Sequence, residues 1–281
     1  MKLLRVGEAG NERPALVDER GVLRDLSGSM EDLTALELSP VRLAALSALD
    51  PAQLPALSGD TRIGPPLADF RRIICVGLNY VDHAREVGLD PPAEPTLFIK
   101  GCVPTGAFDP VTLPRGSEKS DWEAELGIVI GTGGLYITEQ QAADHIAGYC
   151  VVNDLSERAY QMERGGQWTK GKSFPGFAPV GPWIVTSDEA GDIGNKPIWL
   201  SVNGRRYQNS NTANLIFNVR QIVAYVSNFF ELEPGDLIAT GTPAGVGLGH
   251  KPPVFLKDGD VIELGIEGLG AQRQRVHAWP K

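Results

Sequence analysis

DWEAELGIVIG spans residues 121–131, and its two halves read differently. Leu126 to Ile130 is a short apolar run closed by a glycine, the pattern of a strand entering a core. Asp121, Glu123 and Glu125 occupy alternate positions, and alternate side chains of a strand share one face. Like charges on one face repel, so the plain reading is a solvated edge. The other reading is a cation held at the end of a buried strand.

Similar apolar runs stand on either side of it. IICVG (73–77), TLFIK (96–100), AGYCVVND (147–154), GPWIVT (181–186), IWLSVNG (198–204), DLIATG (236–241) and DVIELGIEGLG (260–270) are rich in Val and Ile and separated by Gly, Pro and Asp turns. Upstream, LLRVG and ALVDERGVLRDL predict a small β-meander. Ser39-Pro40 predicts a helix over Pro40–Leu49, because proline suits the first helical position. Two more helices are expected, over about Glu139–Ile146 and Asn214–Phe230. In the second, Leu215, Val219, Ile222, Val226 and Phe229 recur at helical spacing. Many strands, few helices and no βαβ alternation exclude a Rossmann or TIM architecture. The fold class expected is mostly β with few helices (α+β), a mixed β-roll or barrel over 71–281 behind a small N-terminal β domain and connecting segment over 1–70.

Of the 281 residues, 42% are hydrophobic and 22% charged, ordinary for a globular chain. A net charge of −9 speaks against nucleic acid as a partner. The start MKLLRVGEAG lacks the apolar stretch of a secretion signal, and no run is long enough to span a membrane. Cys75, Cys102 and Cys150 are odd in number and far apart, which suggests reduced thiols and a cytoplasmic location.

A second apolar strand, ending VVNDLSER, brings Asp154 to a strand end. With Glu123 and Glu125 it makes an oxygen-only donor set, suited to Mg²⁺, Mn²⁺ or Ca²⁺. His83, in GLNYVDHAREVG, has Glu86 three residues on, one turn away on a helix. A carboxylate there would orient the imidazole as a base, and an exposed surface pair is the alternative. Arg158 and Gln161 follow Asp154, and QWTKGKSF adds Lys170 and Lys172; together they suit an anion. In ATGTPAGVGLG, Thr240, Thr242 and the glycines would let backbone amides approach an anion, or form only a tight turn. His145, His250 and His277 are assigned no role.

CVGLNYVDHA, EAELGIVIG, GYCVVNDLSER, QWTKGKSF, GPWIVT, VNG and PGDLIATGTPAGVG occur in this order. Together they resemble the fumarylacetoacetate hydrolase superfamily over about residues 71–275. RGSEKSDWEAELG, SERAYQMERGGQWTKGKS and PPVFLKDGDVIELGIEGLGAQ are most similar to its branch of L-2,4-diketo-3-deoxyrhamnonate hydrolases, often auto-named ureidoglycolate lyases. The resemblance implies that Glu123, Glu125 and Asp154 are the Mg²⁺ or Mn²⁺ ligands. It implies that His83 and Glu86 form a catalytic dyad on a lid, that Lys172 lies near the metal, and that Arg158, Gln161 and Thr242 contact substrate. It also implies a small 2-oxo or 2,4-dioxo acid substrate and a homodimer. One departure is KSFPGFAPVG, where the branch has Cys-Asp-Thr after Lys-Ser, so Pro175 and Gly176 should reshape that loop and bear on distal selectivity.

The chemistry implied is C–C bond hydrolysis giving pyruvate and a hydroxy acid such as L-lactate. The same site could instead serve a lyase, an isomerase of unsaturated dicarboxylates or a 2-oxo-acid decarboxylase. The other classes are a metal- or carboxylate-binding protein without activity, and a structural β-protein with solvated acids.

Overall fold

A computed structural model describes residues 1–280. The N-terminal strands are β1 (Lys2–Val6), β2 (Arg13–Val17) and β3 (Leu23–Asp25), followed by helix α1 (Pro40–Ser47). Next come β4 (Ile73–Gly77), α2 (Val81–Glu86), β5 (Thr96–Lys100), β6 (Ala124–Ile130) and β7 (Ile146–Asn153). Two short helices, α3 (Arg158–Met162) and α4 (Thr169–Lys172), lead to β8 (Pro179–Thr186) and α5 (Ser187–Ala190). The chain closes with β9 (Pro197–Val202), β10 (Arg205–Asn211), α6 (Val219–Val226), β11 (Leu237–Ala239), β12 (Val261–Ile266) and β13 (Gly270–His277).

The main sheet runs β3-β2-β1-β8-β7-β6-β11-β4-β5, and a second sheet runs β10-β9-β12-β13 with Val111–Thr112 at its edge. β6 and β7 are buried along their whole length because both faces of the main sheet are covered. Leu126, Ile128 and Ile130 point to one core, against Ile198, Leu200, Ile262 and Leu264 of the second sheet. Val129, Cys150, Val152 and Leu237 point to the other, which residues of the first 70 cover: Leu3, Leu26, Leu33, Leu38, Leu46 and Leu67. The sheet is continuous across residue 70, since Lys2 and Leu3 pair with Val185 and Ile184. Leu4, Val6, Ala15 and Leu23 form a small cluster of their own. Residues 1–70 as a separate folding unit therefore stand as a proposal resting on that cluster.

The predicted strands form, and two helices are corrected. In place of a helix over 139–146 there is a single 3-10 turn, Ala142–His145. Gln141 bends back to accept from the amide and hydroxyl of Thr138, and Ile146 already begins β7. The helix expected over 214–230 is only Val219–Val226. Asn218 caps it, accepting from the amides of Arg220 and Gln221 while Gln221 accepts from Asn218 N, a capping box that fixes the start. The three cysteines are free, and no helix of the described residues is long and apolar enough to cross a membrane.

Candidate active site

β6 and β7 are antiparallel, with Glu125 opposite Val152. Continuing that register sets Asp154 opposite Glu123, whose carbonyl accepts from Asp154 N at 2.9 Å. Directly opposed residues share a face. Glu123, Glu125 and Asp154 therefore converge, with one oxygen of each within 4.8 Å of the others, and all three are buried. The register extends once more, to Asp121 opposite Ser156.

The first acid of the opening row has a different task from the other two. Asp121 accepts from Arg158 Nε at 2.8 Å and from the amides of Trp122, Gly247 and Leu248. Arg158 is thereby fixed, with Nη1 2.7 Å from Glu123 Oε1 and donating to Gln161 Oε1 at 3.0 Å. Its Nη2 lies 2.8 Å from Asp121 Oδ2 but is misaligned, and remains a buried donor without a hydrogen-bond partner.

Lys172 Nζ donates to Glu123 Oε2 at 2.6 Å and to Asp154 Oδ2 at 2.7 Å. Lys100, buried at the end of β5, pairs with the other Asp154 oxygen and donates to Leu155 O at 3.0 Å. Lys100 is absent from the sequence-based site. It lies two residues after Phe98 on the same strand, and Phe98 packs against the core. Lys170 does not join the cluster; its ammonium reaches the carbonyl of Arg164.

Burial alone would raise the Glu123 carboxyl, but the charges of Lys172 and then Arg158 outweigh it and pull it down to about 2. Glu125 has no such partner. Burial, then the charges of Asp154 and Glu123, push it well above the ordinary carboxylate range, and Gly241 N at 2.9 Å is its one hydrogen bond. A buried carboxylate in that condition calls for a cation. With Glu125 ionised, Asp121, Glu123, Glu125 and Asp154 would carry four negative charges against three positive ones on Lys100, Arg158 and Lys172. A divalent cation would turn that net −1 into +1, the sign that favours an anionic substrate. The donor set therefore fits a hard divalent ion.

His83 lies on α2 and faces the same cavity, of about 160 Å³, as Glu123, Glu125, Arg158, Gln161, Lys172 and Thr242. Its Nδ1 is 2.9 Å from Glu86 Oε2, and Glu86 Oε1 accepts from Gly245 N at 2.8 Å. Any side chain at Gly249 would run into that carboxylate, since a Cβ there would lie 2.4 Å from Glu86 Cδ. Thr242 donates its hydroxyl to Ala124 O at 2.9 Å and accepts from Gln208 Nε2 at 2.8 Å.

The Gly-rich loop from 239 to 249 corrects one expectation. Its amides at Gly241, Gly245, Gly247 and Leu248 bind the protein's own acids Glu125, Glu86 and Asp121. They organise the site from behind and are not directed at a ligand. Pro175 and Gly176 are not among the residues that line the cavity; Met162 and Trp168 are.

Residues 72–277 match the family described as fumarylacetoacetate (FAA) hydrolase, C-terminal. A protein of Burkholderia orbicola is 52% identical over 277 residues, 98% of each chain. The fumarylpyruvate hydrolase of Pseudomonas aeruginosa, solved with Mn²⁺ and pyruvate, is 38% identical with a TM-score of 0.68, over 79% of this chain and 94% of that one. The 2-hydroxyhepta-2,4-diene-1,7-dioate isomerase of Mycobacterium marinum is 32% identical with a TM-score of 0.76, over the whole of both chains. The fold and the buried acidic cluster thus define a metal-dependent enzyme of the hydrolase, isomerase or lyase kind. The chain belongs to the fumarylacetoacetate hydrolase family.

Proposed function

We propose that this chain hydrolyses a C–C bond of a 2,4-dioxo acid, releasing pyruvate and a second acid. The observation that carries the reading is His83, paired with Glu86, on the lining of the same cavity as Glu123 and Glu125, which converge with Asp154. Glu123, Glu125 and Asp154 would hold Mg²⁺ or Mn²⁺, which when bound supplies a Lewis acid for the substrate's 1-carboxylate and 2-oxo oxygens.

The chain's own residues do the rest. Nδ1–H of His83 donates to Glu86, which leaves Nε2 to take a proton from water. The hydroxide formed adds to C4. Cleavage of C3–C4 leaves an acid on the C4 side and the enolate of pyruvate, whose C3 takes the proton back. Gln161, whose amide nitrogen has no hydrogen bond among the described residues, and Arg158, which lines the same cavity, would bind the 1-carboxylate. Lys172 adds positive charge where the enolate forms, and Thr242 borders the substrate. Motif likeness favours a tail of the 2,4-diketo-3-deoxyrhamnonate kind, with lactate as the second product.

The second reading is an isomerase on the same residues, favoured by the whole-chain likeness to the Mycobacterium marinum enzyme. NMR of products from a panel of 2,4-dioxo acids with Mg²⁺ decides between them. Hydrolysis gives equimolar pyruvate and a second acid. Products of unchanged mass, or loss of carbon dioxide, would refute it.

A further inference from the structure

Glu123, Arg158, Gln161 and Lys172 contact one another on the cavity lining. The remaining lining includes Val87, Leu89, Met162, Trp168, Val246 and Leu248. The lysine and arginine that line the cavity are both committed, Lys172 to Glu123 and Asp154, Arg158 to Asp121 and Glu123. No cation on that lining is left for a second carboxylate at the far end of a substrate.

The wall is built rather than incidental. Trp168 sits on Gly77, where a Cβ would lie 2.5 Å from the indole ring, and meets the Phe98 ring edge-on at 5.4 Å. At the mouth, Val87, Leu89 and Met162 expose 39%, 52% and 56% of their surface. Exposed apolar side chains gathered at a cavity mouth mark a surface that an apolar group covers.

From this wall we infer that the part of the substrate beyond C4 is uncharged and lays an alkyl group against it. The inference rests on the C–C hydrolysis reading for the reacting end and adds the class of tail. The methyl of a lactoyl tail would meet the wall, whereas a terminal carboxylate would lose water without gaining a partner. Each methylene that reaches the wall should raise kcat/KM about three- to fourfold until the wall is filled. A carboxylate-ended tail of equal length should be at least about tenfold poorer.

The test has two arms, both with Mn²⁺. Pyruvate release is followed for 2,4-dioxo acids with alkyl, hydroxyalkyl and carboxyalkyl tails. Binding of 2-oxohexanoate and of 2-oxoadipate, which lack the C4 carbonyl, is measured by calorimetry. Preference for the uncharged over the carboxylate-ended tail in both arms supports the inference. Tighter binding of 2-oxohexanoate with no pyruvate from any substrate keeps the apolar tail and sinks the hydrolysis. Pyruvate release with 2-oxoadipate bound as tightly as 2-oxohexanoate keeps the hydrolysis and overturns the tail. Met162→Lys, at an exposed position, should shift the binding ratio toward 2-oxoadipate by about tenfold. An unchanged ratio would overturn the placing of the tail along this wall.

Discussion

His83 and Glu123 stand in one cavity yet should fail differently when replaced. His83→Ala should lower kcat by about 10²–10⁴-fold, the usual worth of a general base, and leave metal affinity near that of the parent. Glu123→Ala should abolish metal binding and activity together. Glu86→Gln should fall between the parent and His83→Ala, because the imidazole stays but loses its charged partner. Pyruvate release at saturating Mg²⁺, with calorimetry for the metal, separates the cases; an undiminished kcat in His83→Ala would send the search for a base to Lys172. Lys100 gives a second contrast. It is fully buried against Asp154, and breaking such a pair is typically worth about 3–5 kcal/mol. Lys100→Met should destabilise the metal-free protein on that scale, with excess Mn²⁺ restoring part of the loss. Denaturant melts with and without Mn²⁺ test it, and equal losses in both would show that Lys100 does not share the metal's charge-balancing role. The acids that meet were legible from the two-residue period of a strand. Lys100 was not, because a lysine closing an apolar strand ordinarily reaches water, and here Asp154, just past β7, and the carbonyl of Leu155 draw it inward.

At the scale of elements, α2 is tied at both ends to neighbours. Asp82 accepts from Ser210 Oγ at 2.5 Å, and Glu86 accepts from Gly245 N. Beyond Glu86, Gly88 and Leu89 donate back to Arg85 O and Ala84 O, and residues 87–91 are exposed. We predict that residues 80–92 exchange amide hydrogens quickly in the ligand-free protein and slow when Mn²⁺ and pyruvate are added. The same protection with and without ligand would count against a lid. Strand β10 escaped a sequence reading for a clear reason. RRYQNSN has no apolar alternation, since it lies at a sheet edge. Its single buried residue, Gln208, accepts from Ala124 N and donates to Thr242 and to Pro243 O. A polar strand with one satisfied inward amide looks the same in sequence as a loop. The helix over 214–230 failed for the opposite reason: apolar spacing continued past residues whose backbone had already left the helix at Ser227.

For the whole molecule, we expect a homodimer, because exposed apolar side chains such as Tyr136 and Phe229 remain away from the active-site mouth. Tyr136 N donates to Ser227 O, which brings these two regions together. Sedimentation should give about twice the chain mass of 30.2 kDa, and a stable monomer would refute it. The arrangement of the two cores has a practical consequence for anyone who would produce the family-matched segment alone. That match begins at residue 72, and a fragment started there would look complete on paper. It would lack Leu3, Leu26, Leu33, Leu38, Leu46 and Leu67, and so present Val129, Cys150, Val152 and Leu237 to water as a bare apolar sheet. Such a fragment should collect in inclusion bodies, although every residue proposed for chemistry would still be on it.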